Sequence, residues 1–252
     1  MCMTNLRPAD KIFVALDYDN MDDALRLADR LGDTIKTMKV GLQLFFKSGP
    51  AILDRLHERG FQVFMDCKFH DIPNTVAGAS DSVTSHGVYM FNVHVGGGLE
   101  MMRRAKQAAV ARAQALGIAV PKVIGVTQLT STAKQVLNEE IGIPGDVQST
   151  VIRYARLAQE AGLDGVVASG HEIEGIRQAC GDEFLTVIPG IRPVWAAAND
   201  QVRIMTPTDA LRAGASYLVI GRAITHADDP RDAALRILEE VQQSEPSEGP
   251  HQ

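Results

Sequence analysis

Eight short runs of β-branched and apolar residues recur along the chain, and this repetition limits its possible folds more than any other feature. The runs are Ile12–Leu16, Thr37–Val40, Gln62–Met65, Met90–Val95, Lys122–Val126, Gly165–Ala168, Leu185–Ile188 and Tyr217–Ile220. Between them lie stretches with apolar residues at helical spacing: Met21–Leu31, Ala51–Arg59, Leu99–Leu116, Val151–Ala161, Glu172–Cys180, Pro207–Ala213 and Arg231–Val241. Strands alternating with helices imply right-handed crossovers and a parallel sheet. Eight such units in 252 residues fit an α/β fold of one kind, a single (β/α)₈ TIM barrel, better than an open, flavodoxin-like sheet. No linker divides the run, so residues 1–243 read as one barrel domain. Residues 244–252, SEPSEGPHQ, read as a flexible polar tail.

Polar residues collect where the strand runs end. They are Asp17, Lys39, Asp66 with Lys68, His94, Thr127 with Thr130, Ser169, Arg192 and Arg222. A closed barrel gathers such ends on one rim, where barrel enzymes carry their sites; an open sheet would string them along an edge.

The net charge of −6 and pI near 5.6 argue against a general nucleic-acid binder, which needs a basic face. Local arginines and lysines still leave room for an anionic substrate. The N-terminus lacks an apolar signal segment, and no stretch is long and apolar enough to span a bilayer. Cys2, Cys67 and Cys180 are far apart and odd in number. They form neither a disulfide framework nor a CxxC metal pair, so the expected compartment is the cytoplasm.

The densest chemistry lies in Asp66-Cys67-Lys68-Phe69-His70-Asp71-Ile72-Pro73-Asn74-Thr75. Residues two apart on a strand share a face, so Asp66 and Lys68 point with Phe64 to one side while Met65 and Cys67 face the helices. Pro73 suits the first turn of a following helix. A lone D-x-K is most simply a strand-end ion pair. Three charges within six residues, with Lys39 ending the neighbouring strand, point instead to a site whose lysines and carboxylates hold each other ionised.

D-x-K-x-x-D-I-P-N-T resembles the signature of the orotidine 5′-phosphate decarboxylases. The resemblance extends through Val14-Ala15-Leu16-Asp17, Lys39-Val40-Gly41, Gly125–Ser131, Pro189-Gly190-Ile191-Arg192-Pro193 and Val219-Ile220-Gly221-Arg222, in the family's order and in its bacterial pattern. It implies a metal-free, cofactor-free lyase that converts orotidine 5′-phosphate to uridine 5′-phosphate. Carried over by position, Lys68 delivers a proton to C6 of the pyrimidine and Asp66 lies beside the departing carboxylate. Lys39 and Asp71 complete a charge-alternating chain. The resemblance also implies a homodimer in which Asp71 and Thr75 reach into the partner's site. Asp17 and Lys39 would hold ribose hydroxyls, Thr130 the pyrimidine amide edge, and Gln201 would bridge phosphate and base; Pro189 is counted with the substrate-binding residues.

The phosphate end also follows from general barrel chemistry. Loops after strands seven and eight commonly bind phosphate through backbone N–H groups, and Gly190-Ile191-Arg192 and Gly221-Arg222 occupy those places. The stretch Pro193–Arg203 between them reads as a mobile lid. Trp195, at its start, has no assigned role.

Other features are weaker. His94 reads as a packed rim histidine, His70 is left without a role, and Met101-Met102 reads as core or interface. Gly96-Gly97-Gly98 is no dinucleotide fingerprint, and His86, His171 and His226 lack zinc-ligand spacing. Two rival readings remain. One is a magnesium-dependent sugar-phosphate decarboxylase or synthase sharing D-x-K-x-x-D; the other is a silent barrel that senses nucleotides.

Overall fold

A computed structural model describes residues 7–196 and 205–244. Eight strands run β1 (Ile12–Ala15), β2 (Thr37–Gly41), β3 (Gln62–Phe69), β4 (Met90–His94), β5 (Lys122–Val126), β6 (Gly165–Val167), β7 (Leu185–Pro189) and β8 (Tyr217–Ile220). Each pairs in parallel with the next, and β8 returns to β1, so the sheet closes into a barrel in sequence order. The helices that follow them in turn are α1 (Met21–Leu31), α2 (Ala51–His57), α3 (Pro73–Ser85), α4 (Gly98–Leu116), α5 (Val147–Glu160), α6 (Ile173–Cys180), α7 (Pro207–Arg212) and α8 (Pro230–Ser244). The fold is the expected single (β/α)₈ barrel. Short helices at Leu42–Ser48 and Arg222–Thr225 and a π turn at Val136–Glu140 were not foreseen. Helix α8 runs through Ser244, and the rest of the expected tail lies outside the described residues. Among the described residues no helix is long and apolar enough to cross a membrane.

Both faces of the strands are covered, which is why they read as unbroken apolar runs. On β1, Ile12 and Val14 join the layer under the helices, while Phe13 and Ala15 fill the barrel interior. Phe64, Met90, Ile124, Leu185, Val187, Tyr217 and Val219 complete that interior. Near the strands' N-terminal ends Phe13 stacks on Tyr217 with ring centroids 4.7 Å apart, and the Tyr89 and Tyr217 hydroxyls meet at 2.9 Å. Burial, with this hydrogen bond, pushes the Tyr217 hydroxyl well above the ordinary tyrosine range. Aromatic rings therefore plug one end of the barrel, leaving the C-terminal ends of the strands to form the open mouth.

Local signals set the helix starts. Asn20 accepts the Asp23 N–H at the start of α1 and Asp146 the Ser149 N–H at α5. Pro73 does occupy the first turn of α3. Strand β3 departs most from expectation, running to Phe69 rather than ending at Met65. It pairs Met65 with Phe91 and then Phe69 with Val93. Asp66, Cys67 and Lys68 thus stand opposite the single residue Asn92, a β-bulge inside the strand.

Candidate active site

The bulge of β3 opens into the barrel mouth. There a cavity of about 260 Å³ is lined by Lys39, Phe64, Asp66, Lys68, Val126, Gln128, Leu129, Thr130, Ser131, Val167, Pro189 and Val219. Strands β2, β3, β5, β6, β7 and β8 all contribute to it. Within it Lys68 Nζ lies 2.6 Å from Asp66 Oδ1. Lys39 Nζ lies 3.2 Å from Asp66 Oδ2 and 3.2 Å from Asp17 Oδ1. Charges therefore alternate along Asp17–Lys39–Asp66–Lys68. Lys39 is buried, whereas Asp17 is exposed at the rim.

Burial pushes the Asp66 carboxyl upward, but the Lys39 and Lys68 ammoniums and hydrogen bonds from Lys68 and Asn92 outweigh it. The group sits below the ordinary carboxylate range. Next to it, burial and the Asp66 charge push the Cys67 thiol up to about 12. Cys67 packs among the helix-side apolar residues and is no nucleophile at neutral pH. Burial, with His70 and Lys68 nearby, holds the His94 imidazole below its ordinary value, and its ring lies 5.5 Å from that of His70.

Lys68 is the one non-glycine residue with positive φ among the described residues, at 51°. Such strain costs on the order of 1–3 kcal/mol and persists only where the surroundings impose it. Nothing in the bare D-x-K pattern announces it. The sequence reading also missed Asn92, wholly buried and bonded both to the Lys68 backbone N–H and to Asp66. One signal was available: Asn92 is a polar residue among apolar ones in the run MFNV.

Asp71 does not join the cluster of its own chain. It is exposed and its Oδ1 accepts the Ile72 N–H at 2.6 Å; within the chain, Asp17 extends the charge chain beyond Lys39. Thr75 is likewise exposed, in the first turn of α3. Thr127 and Ser169, also polar at strand ends, serve the fold. The Thr127 hydroxyl donates to the Val167 carbonyl, and Ser169 caps the turn Gly170–Glu172.

A second cavity, of about 300 Å³, is lined by Arg192, Trp195, Ala196, Arg222, Ala223, His226 and Ala227. Pro189 and Val219 of the first cavity lie three residues before Arg192 and Arg222 of this one. Both expected arginines thus share one hollow beyond β7 and β8. Gly190 turns the chain out of β7 at φ 77°, a conformation that disfavours any side chain. Gly221 immediately precedes the short helix that begins at Arg222. The Arg192 N–H donates to the Met205 carbonyl, and Ile191 bridges Met205, so the excursion begins and ends at one place. Most of the expected lid, Gln201 included, lies outside the described residues. Trp195, unassigned from sequence, carries the Arg236 guanidinium of α8 over its ring, 4.1 Å from the centroid.

Comparison with known proteins agrees with this arrangement. A sequence model of the family described as "Orotidine 5′-phosphate decarboxylase / HUMPS family" matches residues 10–237. The orotidine 5′-phosphate decarboxylase of Moorella thermoacetica is 50% identical over 240 residues, 95% of each chain. That of Heliobacterium modesticaldum is 49% identical over 232 residues, 92% of this chain and 96% of its own. The crystal structure of orotidine 5′-phosphate decarboxylase from Lactobacillus acidophilus superposes with a TM-score of 0.83 at 36% identity, covering 92% of this chain and 99% of that one. With its barrel closed and its rim charges in place, the chain belongs to the orotidine 5′-phosphate decarboxylase / HUMPS family.

Proposed function

We propose that this enzyme is a carboxy-lyase that converts orotidine 5′-phosphate to uridine 5′-phosphate and carbon dioxide, within pyrimidine nucleotide synthesis in the cytoplasm, without metal or organic cofactor. The observation that carries the reading is the alternating chain Asp17–Lys39–Asp66–Lys68 at a hollow of about 260 Å³ in the barrel mouth. Breaking the bond from C6 to the carboxyl group leaves an electron pair in the ring plane, where the π system cannot delocalise it. A fixed ammonium is the stabiliser such an anion needs. Lys68 Nζ supplies it, then transfers a proton to C6 and recovers one from solvent. Asp66, kept ionised by its two lysines, faces the substrate carboxylate and favours its departure. Asp17 and Lys39 take ribose hydroxyls, Thr130 the amide edge of the base, with Pro189 beside it. Arg192, Arg222 and the Gly221 backbone hold the phosphate, and Gln201 links phosphate to base.

Asp71 and Thr75 complete the site of a second copy in a homodimer. Their exposure supports this, as does Ile72 beside them, an isoleucine 67% exposed. The magnesium-dependent alternative fits the geometry less well. Lys39 and Lys68 already occupy Asp66, and Lys39 also occupies Asp17, so both carboxylates are neutralised without a divalent ion. The deciding assay follows the ultraviolet absorbance as orotidine 5′-phosphate is consumed. Full activity is expected in excess chelator; strong loss on chelation would favour the magnesium reading, and no turnover at all a silent barrel.

Phosphate binding must do more than hold the substrate. Extreme enzymes lower barriers by about 23 kcal/mol, whereas one ammonium 4 Å from an anion supplies about 4 kcal/mol at an effective dielectric of 20. Binding energy at the remote phosphate therefore has to be expressed in the transition state. Arg222→Ala is expected to lower kcat as well as raise KM. A change in KM alone, found by steady-state kinetics, would refute the coupling.

A further inference from the structure

We propose that Asn92 is the positioning residue that sets both the Asp66 carboxylate and the Lys68 backbone for decarboxylation; the inference rests on the function proposed above. In the bulge three residues of β3 stand opposite Asn92 alone, so the sheet ladder offers the Lys68 N–H no regular partner. Asn92 Oδ1 accepts that N–H at 2.7 Å. On the same amide, Nδ2 donates at 2.7 Å to Asp66 Oδ1, the oxygen that also receives Lys68 Nζ at 2.6 Å. One planar group thus ties the strained φ of 51° at Lys68 to the orientation of the carboxylate beside it.

The partners fix which way the amide faces, because an N–H needs an acceptor and an ionised carboxylate needs a donor. Asn92 is 0% exposed, so water does not readily replace either bond. Few side chains of this length present an acceptor and a donor from one planar end: asparagine, and aspartic acid while it keeps its proton. Charged and titratable groups round the position are Asp66, Cys67 and Lys68 on β3, Lys39 on β2 and His94 two residues along β4. Strand β5 pairs the uncharged Ile124 with Asn92.

That chemistry makes Asn92→Asp a selective probe. At pH 8 its carboxylate would face that of Asp66 without a donor between them, and both Asp66 and Lys68 would shift. Displacement of reacting groups by about 1 Å costs on the order of 100-fold in rate, and a loss of that size is expected in kcat. KM should change less than kcat, since the phosphate contacts lie elsewhere. Two carboxyls in one site raise the pKa of one of them. As pH falls the pair therefore gains a shared proton, and both hydrogen bonds return. The ratio of variant to wild-type kcat is expected to rise at least about tenfold between pH 8 and pH 5. Taking the ratio removes effects common to both proteins, such as titration of the substrate phosphate. Asn92→Ala, which has no proton to regain, should stay low throughout.

A role in stability alone would lower the unfolding temperature but leave that ratio flat or falling toward acid, and either result overturns the proposal. An aspartate variant that folds neither at pH 8 nor at pH 5 also overturns it, because the protonated side chain reproduces both bonds. Wild-type protein inactive on orotidine 5′-phosphate would instead remove the functional reading underneath.

Discussion

Purified Lys68→Ala protein is expected to fold normally and to turn over orotidine 5′-phosphate on the order of 10⁵-fold more slowly than the native chain. The figure combines two losses. An ammonium about 4 Å from the forming carbanion is worth about 4 kcal/mol, close to three decades in rate at about 1.36 kcal/mol per decade. Losing the general acid removes about two further decades or more. Folding should survive because Asp66 keeps Lys39 at 3.2 Å and Asn92 at 2.7 Å. Turnover at the native pace, measured on the same absorbance change, would sink the mechanism.

The same variant carries a second signature, in acid. Native Asp66 is held below the ordinary carboxylate range by two lysines acting against its burial. A depressed acid contributes stability that is complete above its unfolded pKa of about 4 and is lost as pH falls through the folded value. Without Lys68 less opposes burial, the carboxyl rises, and there is less stability to lose. Unfolding temperature should therefore fall less steeply below about pH 4 in Lys68→Ala than in native protein.

Mixing Lys68→Ala with Asp71→Ala subunits is expected to restore activity that neither variant has alone. If Asp71 works across a twofold interface, a mixed dimer holds one site with both residues intact and one with neither. Random exchange makes half the dimers mixed, so about one-quarter of native activity per subunit should return. The geometry of the single chain motivates the experiment, since Asp71 accepts the Ile72 N–H, while Lys39 and Lys68 pair with Asp66. Exchange is ensured by co-refolding and read by separating differently tagged chains. Activity that stays at the level of the parent variants, with mixed dimers present, would place Asp71 outside the shared site.

Much of the candidate site was legible as residue types and little of it as geometry. Asp66, Lys68 and Lys39 could be named because charges are rare at the ends of buried strands. Their order in space could not: within the chain, Asp17 turned out to extend the row beyond Lys39. Asn92 escaped notice because one buried asparagine in a strand has no partner visible in sequence; its partners lie 24 and 26 residues away. Trp195 was equally mute until α8 brought Arg236 over its ring.

The amino acids in order were enough to specify eight strands and the barrel they build. Parallel strands buried on both faces need continuous apolar runs, and helices need apolar residues three and four apart, so both patterns are local. The conformation of Lys68, the amide bridging it to Asp66 and the joining of Arg192 with Arg222 in one hollow belong to the folded chain alone. Each depends on strands distant in sequence meeting at one register, and a β-bulge leaves no mark until its partner strand is present to count against.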